Sequence, residues 1–328
     1  MRIRRTALTA LALSATVLAL AGCSLPSDDA AAGGNTGEVT NKLLGIVTIT
    51  ATDANNARVI AGATAAAEEA GWKVEVVDAQ GNADQANTAI TNFVNKDAGM
   101  IFDLVFPTSS LGTGLSAAKA AGIPVATWGG GEGTGVVVST GAGAPFAKPA
   151  TEALIEALDG GGEVLALTYR TGQVCRDREV LFDEMLADHP EITVTKNEVK
   201  IPGFLQDGAN YANAWLSANP AGSKKLAIWG CWEDPTLGAI SALKQNGRTD
   251  VLTYGINGSS TAIKAVQDGS LTATVYEDAT LEGRTMFEET LKAIESGSTE
   301  SKVIDVPGIL VTSDTIDAFL AEHPEALE

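Results

Sequence analysis

The residue types that most often carry catalysis and metal binding are scarce in this chain of 328 residues. There are two histidines and three cysteines, and His189 and His323 each precede a proline in a run typical of a helix-ending turn. The sequence has no Gly-x-Ser-x-Gly, His-Glu-x-x-His or Cys-x-x-Cys motif. We therefore expect a protein that is not an enzyme and that has neither a metal site nor a cofactor.

A glycine-rich segment, residues 129–135, invites interpretation as a nucleotide loop. Such a loop leads into a helix whose N-terminus receives phosphate, whereas this segment leads into residues 136–138, three valines that predict a strand. It also lacks the Gly-Lys-Ser/Thr ending. We interpret it as a flexible loop at the rim of a site.

Several tryptophans and cysteines lie at or just after the ends of predicted strands. Ligands of open α/β sheets bind beyond the carboxyl ends of the strands, where a flat indole suits the apolar face of a sugar ring. Trp128 and Trp232 follow their strands and are candidate ligand-binding residues, whereas Trp229 lies in an apolar run and is interpreted as core. Cys175 and Cys231 also follow strands, and in an exported protein they form either a disulfide or two buried thiols.

The N-terminus has the pattern of a bacterial lipoprotein signal peptide. Three arginines among the first five residues precede an apolar run over residues 7–21, and two small residues then precede Cys23. The run of about 15 residues falls short of the ~20 that a transmembrane helix needs. We predict a signal peptide over residues 1–22, lipid attachment at Cys23, and a flexible tether over residues 23–41.

Composition restricts the kind of partner. The chain has 41 acidic and 22 basic residues, a net charge of −19, which argues against a partner made of nucleic acid. Hydrophobic residues make up 45% and charged residues 19%, as in a folded globular protein. We expect a folded body that works in water beside a membrane.

From Lys42 onward, apolar β-rich runs alternate with alanine-rich helical stretches, which predicts an α/β fold with parallel sheets covered by helices. This alternation of predicted strands and helices is interrupted after residue 141 and resumes with a helix from about Lys148. Its last predicted elements are a helix over residues 281–294 and a strand over residues 303–306. We predict two doubly wound parallel-sheet lobes joined by several crossing segments.

The two lobes are each predicted to contain two stretches of chain. The N-terminal lobe comprises residues 42–140 and 279–304, and the C-terminal lobe comprises residues 141–278 and 305–328. The crossing points near Thr140, Asp278 and Ile304 are the expected hinges.

With these features assembled, the chain resembles the ribose- and galactose-type sugar-binding proteins of ABC transporters, which have the type I periplasmic-binding fold. The resemblance spans roughly residues 43–306. Its most recognisable stretches are residues 78–84 (DAQGNAD), 120–125 (AAGIPV), 237–239 (LGA) with 242–243 (AL), and 266–274 (VQDGSLTAT).

The resemblance also implies a binding site. In that family two lobes close over one sugar, strand-end polar residues bind its hydroxyl groups, and aromatic residues stack on it. Matched position by position, with Trp128 added, the implied ligand-binding residues are Asp53, Asn55, Asn56, Trp128, Arg178, Phe204, Trp232, Asn257 and Glu277. The aromatic pair usual after the first strand is missing. Gly129 and Gly130 replace the family's Asp-Arg pair, which argues against ribose and galactose themselves.

The resemblance implies the ligand-binding subunit of an ABC importer, held outside the cytoplasm by lipid on Cys23. Its expected partners are a small neutral sugar or polyol and a membrane permease, and the protein is expected to be a monomer. The alternative is a sensory lipoprotein of the same fold that binds a signalling molecule.

Overall fold

The computed structural model describes residue 39 and residues 41–327. The predicted signal peptide, Cys23 and most of the predicted tether lie outside these residues. Within the described part, no helix has the length and apolar character that crossing a membrane would require.

The described residues form twelve strands and ten α-helices. The strands are β1 (Leu43–Thr48), β2 (Lys73–Asp78), β3 (Met100–Leu104), β4 (Val125–Trp128), β5 (Val136–Gly141), β6 (Gly162–Thr168), β7 (Ile192–Glu198), β8 (Leu226–Gly230), β9 (Val251–Asn257), β10 (Ala273–Tyr276), β11 (Lys302–Asp305) and β12 (Ile309–Thr312). The helices are α1 (Ala54–Glu69), α2 (Ala83–Asn95), α3 (Gly112–Ala120), α4 (Ala144–Leu158), α5 (Gln173–Leu186), α6 (Phe204–Ala218), α7 (Glu233–Gln245), α8 (Ser260–Gln267), α9 (Ala279–Ser296) and α10 (Ile316–Glu322).

The strands form two six-stranded sheets. The first has the order β11-β5-β4-β3-β1-β2 with all pairs parallel, and the second has the order β12-β10-β9-β8-β6-β7. We call the sheet containing β1 with its helices the first lobe, and the sheet containing β6 with its helices the second lobe. The prediction of two doubly wound α/β lobes is confirmed.

The two sheets share one winding pattern. In each, the first strand lies between the second and the third, so the chain reverses its direction of winding at β1/β3 and at β6/β8. At such a reversal the loops beyond the carboxyl ends of the strands diverge and leave a crevice for a ligand. β1 shows the expected sequence of a strand buried on both faces: all six residues are apolar or small and all are buried.

The chain passes between the sheets three times, from β5 to α4, from β10 to α9, and from β11 to β12. The passages lie beside Thr140, Asp278 and Ile304. Hinge motion at these positions, and the exact lobe boundaries, stay predictions.

Paired glycines let two helix pairs approach closely. A Cβ on Gly62 would collide with the Thr280 carbonyl, and one on Gly283 would collide with the Val59 carbonyl, so α1 and α9 touch backbone to backbone. In the second lobe, Gly208 and Gly238 likewise allow the backbones of α6 and α7 to touch, because a Cβ on either glycine would collide with a carbonyl of the other helix. The helix α9 is thereby fixed to the first lobe although β10 before it belongs to the second.

The structure corrects three expectations. Helix α4 begins at Ala144, earlier than the predicted start near Lys148, because Pro145 lies in its first turn, where no N–H group is needed. Strand β12 and helix α10 were not predicted at all. β12 also runs antiparallel to β10, so the second sheet is not wholly parallel.

Candidate functional site

A cavity of about 40 Å³ lies where the carboxyl ends of the two sheets face each other. Its walls come from the last residues of β4 and β9 and from segments that follow β1, β3, β6, β7 and β8, as the reversal of winding leads one to expect. The lining residues are Ile49, Thr50, Asp53, Asn56, Val105, Trp128, Tyr169, Gly172, Val174, Cys175, Arg178, Ile201, Trp232 and Asn257.

The structure brings most of the predicted ligand-binding residues to this cavity. Those that line it are Asp53, Asn56, Trp128, Arg178, Trp232 and Asn257. Each has less than a tenth of its surface exposed. Polar groups buried this deeply need partners, so their contacts indicate which of them are available to a ligand.

Three predicted residues lie behind the cavity instead of lining it. Asn55 donates from Nδ2 to Glu277 Oε2 at 2.7 Å, and this hydrogen bond joins α1 to the segment after β10. Phe204 packs edge-on against Trp232, with ring centroids 5.6 Å apart. These side chains therefore support the groups that face the cavity.

Arg178, in α5, is the positive centre of the site. Its Nε donates to Ala142 O at 2.8 Å, and its Nη1 donates to Cys231 O at 2.7 Å and to Asn257 Oδ1 at 3.0 Å. Its Nη2 lies 3.9 Å from Glu277 Oε2 and has no hydrogen-bond partner among the described residues. Burial lowers the pKa of Arg178 to about 10, against the opposing effect of nearby carboxylates led by Glu277, so the guanidinium stays charged at neutral pH.

A second carboxyl group, Glu282 in α9, lies next to Glu277. Glu282 Oε2 accepts a hydrogen bond from Trp128 Nε1 at 2.6 Å. Both glutamates are fully buried, and each has one oxygen without a hydrogen-bond partner in the described residues. Burial, followed by the charge of Glu277, raises the pKa of Glu282 well above its usual value, which favours a proton on Glu282.

Asp53 caps the first helix and also faces the cavity. Its Oδ1 accepts from the backbone N–H of Asn56 at 2.8 Å, while Asn56 Nδ2 donates to Thr50 O at 2.8 Å. Burial raises the pKa of Asp53, and the helix N–H groups oppose that rise. The loop after β1 is thus fixed by its own hydrogen bonds.

Two residues that line the cavity have backbone conformations rare for side-chain-bearing residues. Val105 has φ of 80° and Asn257 has φ of 122°. Val105 donates to Trp128 O at 2.9 Å and accepts from Gln173 N of the other lobe at 3.1 Å. Asn257 O accepts from Arg58 Nη2 at 2.7 Å, again across the lobes. These bonds hold the strained residues and keep the lobes in contact.

Trp232 forms an aromatic wall. It contacts Tyr169 edge-on at 6.0 Å between centroids, in addition to Phe204, and its Nε1 has no hydrogen-bond partner among the described residues. The Trp232 indole lies near the Asp234 carboxyl, and this contact lowers the pKa of Asp234 against the larger effect of burial. Arg178 Nη2 is thus a buried donor, on a cavity-lining side chain, that an acceptor oxygen of a ligand could satisfy.

Sequence reasoning missed several residues of the site. Tyr169 follows β6 and carried the same strand-end signal as the tryptophans. Val105 and Ile201 offered no signal, because an aliphatic residue in a loop gives no sign of where it points. Glu282 lies in a helix rich in acidic residues, where nothing in the sequence distinguishes it from its neighbours.

The remaining candidates also have defined places. Cys175 and Cys231 form a disulfide with their Cα atoms 5.2 Å apart. His189 lies in a turn after α5 and His323 ends α10, while Trp229 is fully buried and stacks on a phenylalanine. Among the described residues no group of three or more His, Cys, Asp or Glu side chains is arranged to hold a metal ion.

The loop at residues 129–135 leads into strand β5, as the valines predict. Gly130 packs beside Asp103 and the Phe106 carbonyl, where a Cβ would collide. Gly129 and Gly130 are buried, whereas residues 132–134 are exposed. Only the tip of the loop is a surface feature.

Known proteins share this architecture. The ribose import binding protein of Bacillus subtilis is 25% identical over 300 residues, which cover 90% of this chain and 95% of the relative. The xylitol-binding protein of Mycolicibacterium smegmatis is 26% identical over 217 residues, or 64% of this chain and 60% of the relative.

A solved structure has the same fold. The solute binding protein of an ABC transporter from Agrobacterium vitis, with bound allitol, superposes with a TM-score of 0.78 at 23% identity, covering 87% of this chain and 100% of that chain. The family model described as "Periplasmic binding protein domain" matches residues 44–298. The chain therefore belongs to the periplasmic binding protein domain family.

Proposed function

We propose that this protein is the extracytoplasmic ligand-binding subunit of an ABC importer and that it binds one small neutral sugar or polyol between its lobes. The observation that carries the proposal is the cavity at the facing carboxyl ends of both sheets, lined by Trp128 and Trp232 and by Arg178, whose Nη2 has no hydrogen-bond partner among the described residues. Hydroxyl groups act as both donors and acceptors and match such a mixed site.

Charge favours a neutral ligand over an anion. Arg178 already has Glu277 and Asp53 as compensating carboxylates, so a ligand carboxylate or phosphate would add negative charge to a site that has enough of it. The names of the similar proteins agree with this choice, because they refer to ribose, xylitol and allitol. Of these, xylitol and allitol are open-chain polyols.

Closure of two lobes on a ligand gives such a protein its transport role. In the structure the lobes contact each other through Arg58 and Asn257 and through Asn55 and Glu277. A ligand that bridges the same walls stabilises this closed arrangement, and the permease then distinguishes closed protein from open protein. Thr140, Asp278 and Ile304 are the positions where we expect the backbone to turn.

A thermal-shift screen tests the ligand class. The purified protein is heated with pentoses, hexoses, open-chain polyols, inositols, amino acids and nucleosides in separate wells. A ligand that binds only the folded state raises Tm by mass action, by an amount that grows with concentration. We expect a rise with at least one sugar or polyol. A rise with an amino acid or nucleoside alone would contradict the carbohydrate assignment and leave the fold unaffected.

The proposal includes lipid attachment at Cys23 and a monomeric working state, with a permease as partner. Fractionation of cells that express the chain is the direct test of the anchor. The chain with Cys23 is expected in the membrane fraction, and Cys23→Ser is expected to leave that fraction. Capture of a permease by crosslinking would favour transport, whereas capture of a receptor would favour the sensory alternative.

A further inference from the structure

The disulfide between Cys175 and Cys231 lies inside the candidate binding site. Cys175 is in the first turn of α5 and lines the cavity, and Cys231 is fully buried directly after β8. The bond therefore joins two strand-end segments of the second lobe, one after β6 and one after β8.

Each joined segment carries one cavity-lining residue, Arg178 in α5 and Trp232 after β8. Arg178 follows Cys175 by three residues on α5, so the two side chains share one helix face. Trp232 is the residue next to Cys231. Arg178 Nη1 also donates to Cys231 O at 2.7 Å, so a covalent bond and a hydrogen bond connect the same two segments.

The two segments differ in their other support. The segment after β8 is also held by Glu233, whose carboxyl oxygens accept from Gly258 N at 2.8 Å, Ser259 N at 2.6 Å and Thr274 Oγ1 at 2.9 Å, whereas the first turn of α5 has less support. Helices α5 and α7 each begin without a side-chain cap, at Gly172 and Trp232 respectively. The first turn of α5 is bonded to the first lobe, because Gln173 N donates a hydrogen bond to Val105 O. That bond breaks when the lobes separate. In the open protein the disulfide and the Arg178 Nη1–Cys231 O hydrogen bond, both within the second lobe, still connect the two segments.

We propose that the Cys175–Cys231 disulfide is a positioning crosslink that keeps Arg178 and Trp232 oriented for the ligand before the lobes close. The inference rests on the proposed function, since it concerns the same site. Orienting these two cavity-lining side chains in advance removes their ordering cost from the binding step, which raises affinity.

The test compares wild type with the Cys175→Ser/Cys231→Ser double variant. Hydrogen–deuterium exchange of the ligand-free proteins reports on residues 172–180 and 229–236 without any knowledge of the ligand. We expect exchange in both segments to be faster by about tenfold or more in the double variant, while other segments change little. Calorimetric titration with allitol, xylitol and D-ribose is expected to show at least ~10-fold weaker binding of any that wild type binds.

The matched control is Phe319→Ala, which removes a buried ring from α10, away from the cavity. Loss of a buried ring and loss of a disulfide both cost on the order of 2–5 kcal/mol, so both variants should melt at lower temperatures. Phe319→Ala is expected to keep wild-type affinity and wild-type exchange in the two segments. A drop in affinity of the same size in both proteins would make the disulfide merely stabilising and overturn the inference.

Other outcomes also decide the question. Unchanged exchange in the two segments of the double variant would overturn the inference whatever the ligand does. If all three probes fail to bind wild type, these three compounds are excluded as ligands, and the exchange measurement still decides the inference. If the serine pair does not fold, Cys175→Ala/Cys231→Ala avoids burying two hydroxyls, and failure of both would show a requirement for folding, not for positioning.

Discussion

The candidate site is built around the buried, positively charged guanidinium of Arg178, whose Nη2 has no hydrogen-bond partner among the described residues. Arg178 was predicted as a ligand-binding residue from the family resemblance, whereas Trp232 was predicted from its place after a strand. Asn55, Phe204 and Glu277 were assigned to the ligand by the family resemblance; they lie behind the cavity walls and contact other protein groups, and their assignment to the ligand stays a prediction. The sequence predicts which loop a residue belongs to, but whether its side chain turns inward or outward is decided by tertiary contacts.

At the residue scale, Glu282 offers a clear test because the protonated form is favoured. Glu282→Gln preserves an acceptor for Trp128 Nε1 and adds donors beside Glu277, so we expect Tm and ligand affinity close to wild type. Glu282→Ala leaves the indole N–H buried and unpaired, at a cost of about 1–3 kcal/mol. We expect it to lower both Tm in a calorimetric scan and affinity in titration. Loss of stability in Glu282→Gln as large as in Glu282→Ala would contradict the protonated state.

At the scale of elements, the glycine contacts between α1 and α9 make a prediction about packing. Gly283→Ala pushes a methyl group into the Val59 carbonyl, so the helices must separate, and overpacking of this kind costs about 1–3 kcal/mol. We expect a lower midpoint in urea denaturation. The control is Gly112→Ala in α3, where the added methyl group meets open space and the midpoint should stay or rise. If Gly283→Ala and Gly112→Ala changed the urea midpoint equally, the close backbone contact between α1 and α9 would be contradicted.

Most elements were predictable because buried parallel strands are continuous apolar runs and their helices are amphipathic. The exceptions have physical reasons. β12 is a four-residue edge strand with one buried residue, Val311, so it gives little periodic signal. The start of α4 was hidden by Pro145, which breaks a helix interior but is tolerated in a first turn. Strand β12 and the start of α4 are both determined by packing against the second sheet and not by the local sequence pattern.

At the scale of the whole molecule, buried carboxyl groups predict how stability depends on pH. Burial, with the charges of Asp53 and Glu233, raises the pKa of Asp234 from 3.8 to about 8. Burial also raises the pKa of Glu233, Glu282 and Asp103. The folded state therefore binds more protons than the unfolded state between pH ~4 and ~8, so the free energy of unfolding falls as pH rises through that window.

Urea denaturation at pH 5 and pH 8 measures this dependence. We expect stability to be lower at pH 8 by at least ~1 kcal/mol, and Asp234→Asn to reduce the difference because it removes one of the protons taken up. Asp317→Asn, at an exposed position, is the matched control and should leave the difference unchanged. Stability that increases from pH 5 to pH 8 would contradict the buried protonated carboxyls.

The central claim is that one small neutral polyhydroxylated molecule binds between the lobes and against Arg178. Isothermal titration calorimetry with the sugar or polyol that gives the largest thermal shift tests it most directly, on wild type, Arg178→Ala and Arg284→Ala. The last removes an arginine that pairs with Glu69 at the surface. We predict one site per chain, affinity weaker by at least ~30-fold in Arg178→Ala, and wild-type affinity in Arg284→Ala. Equal affinity in all three proteins would contradict a ligand at Arg178.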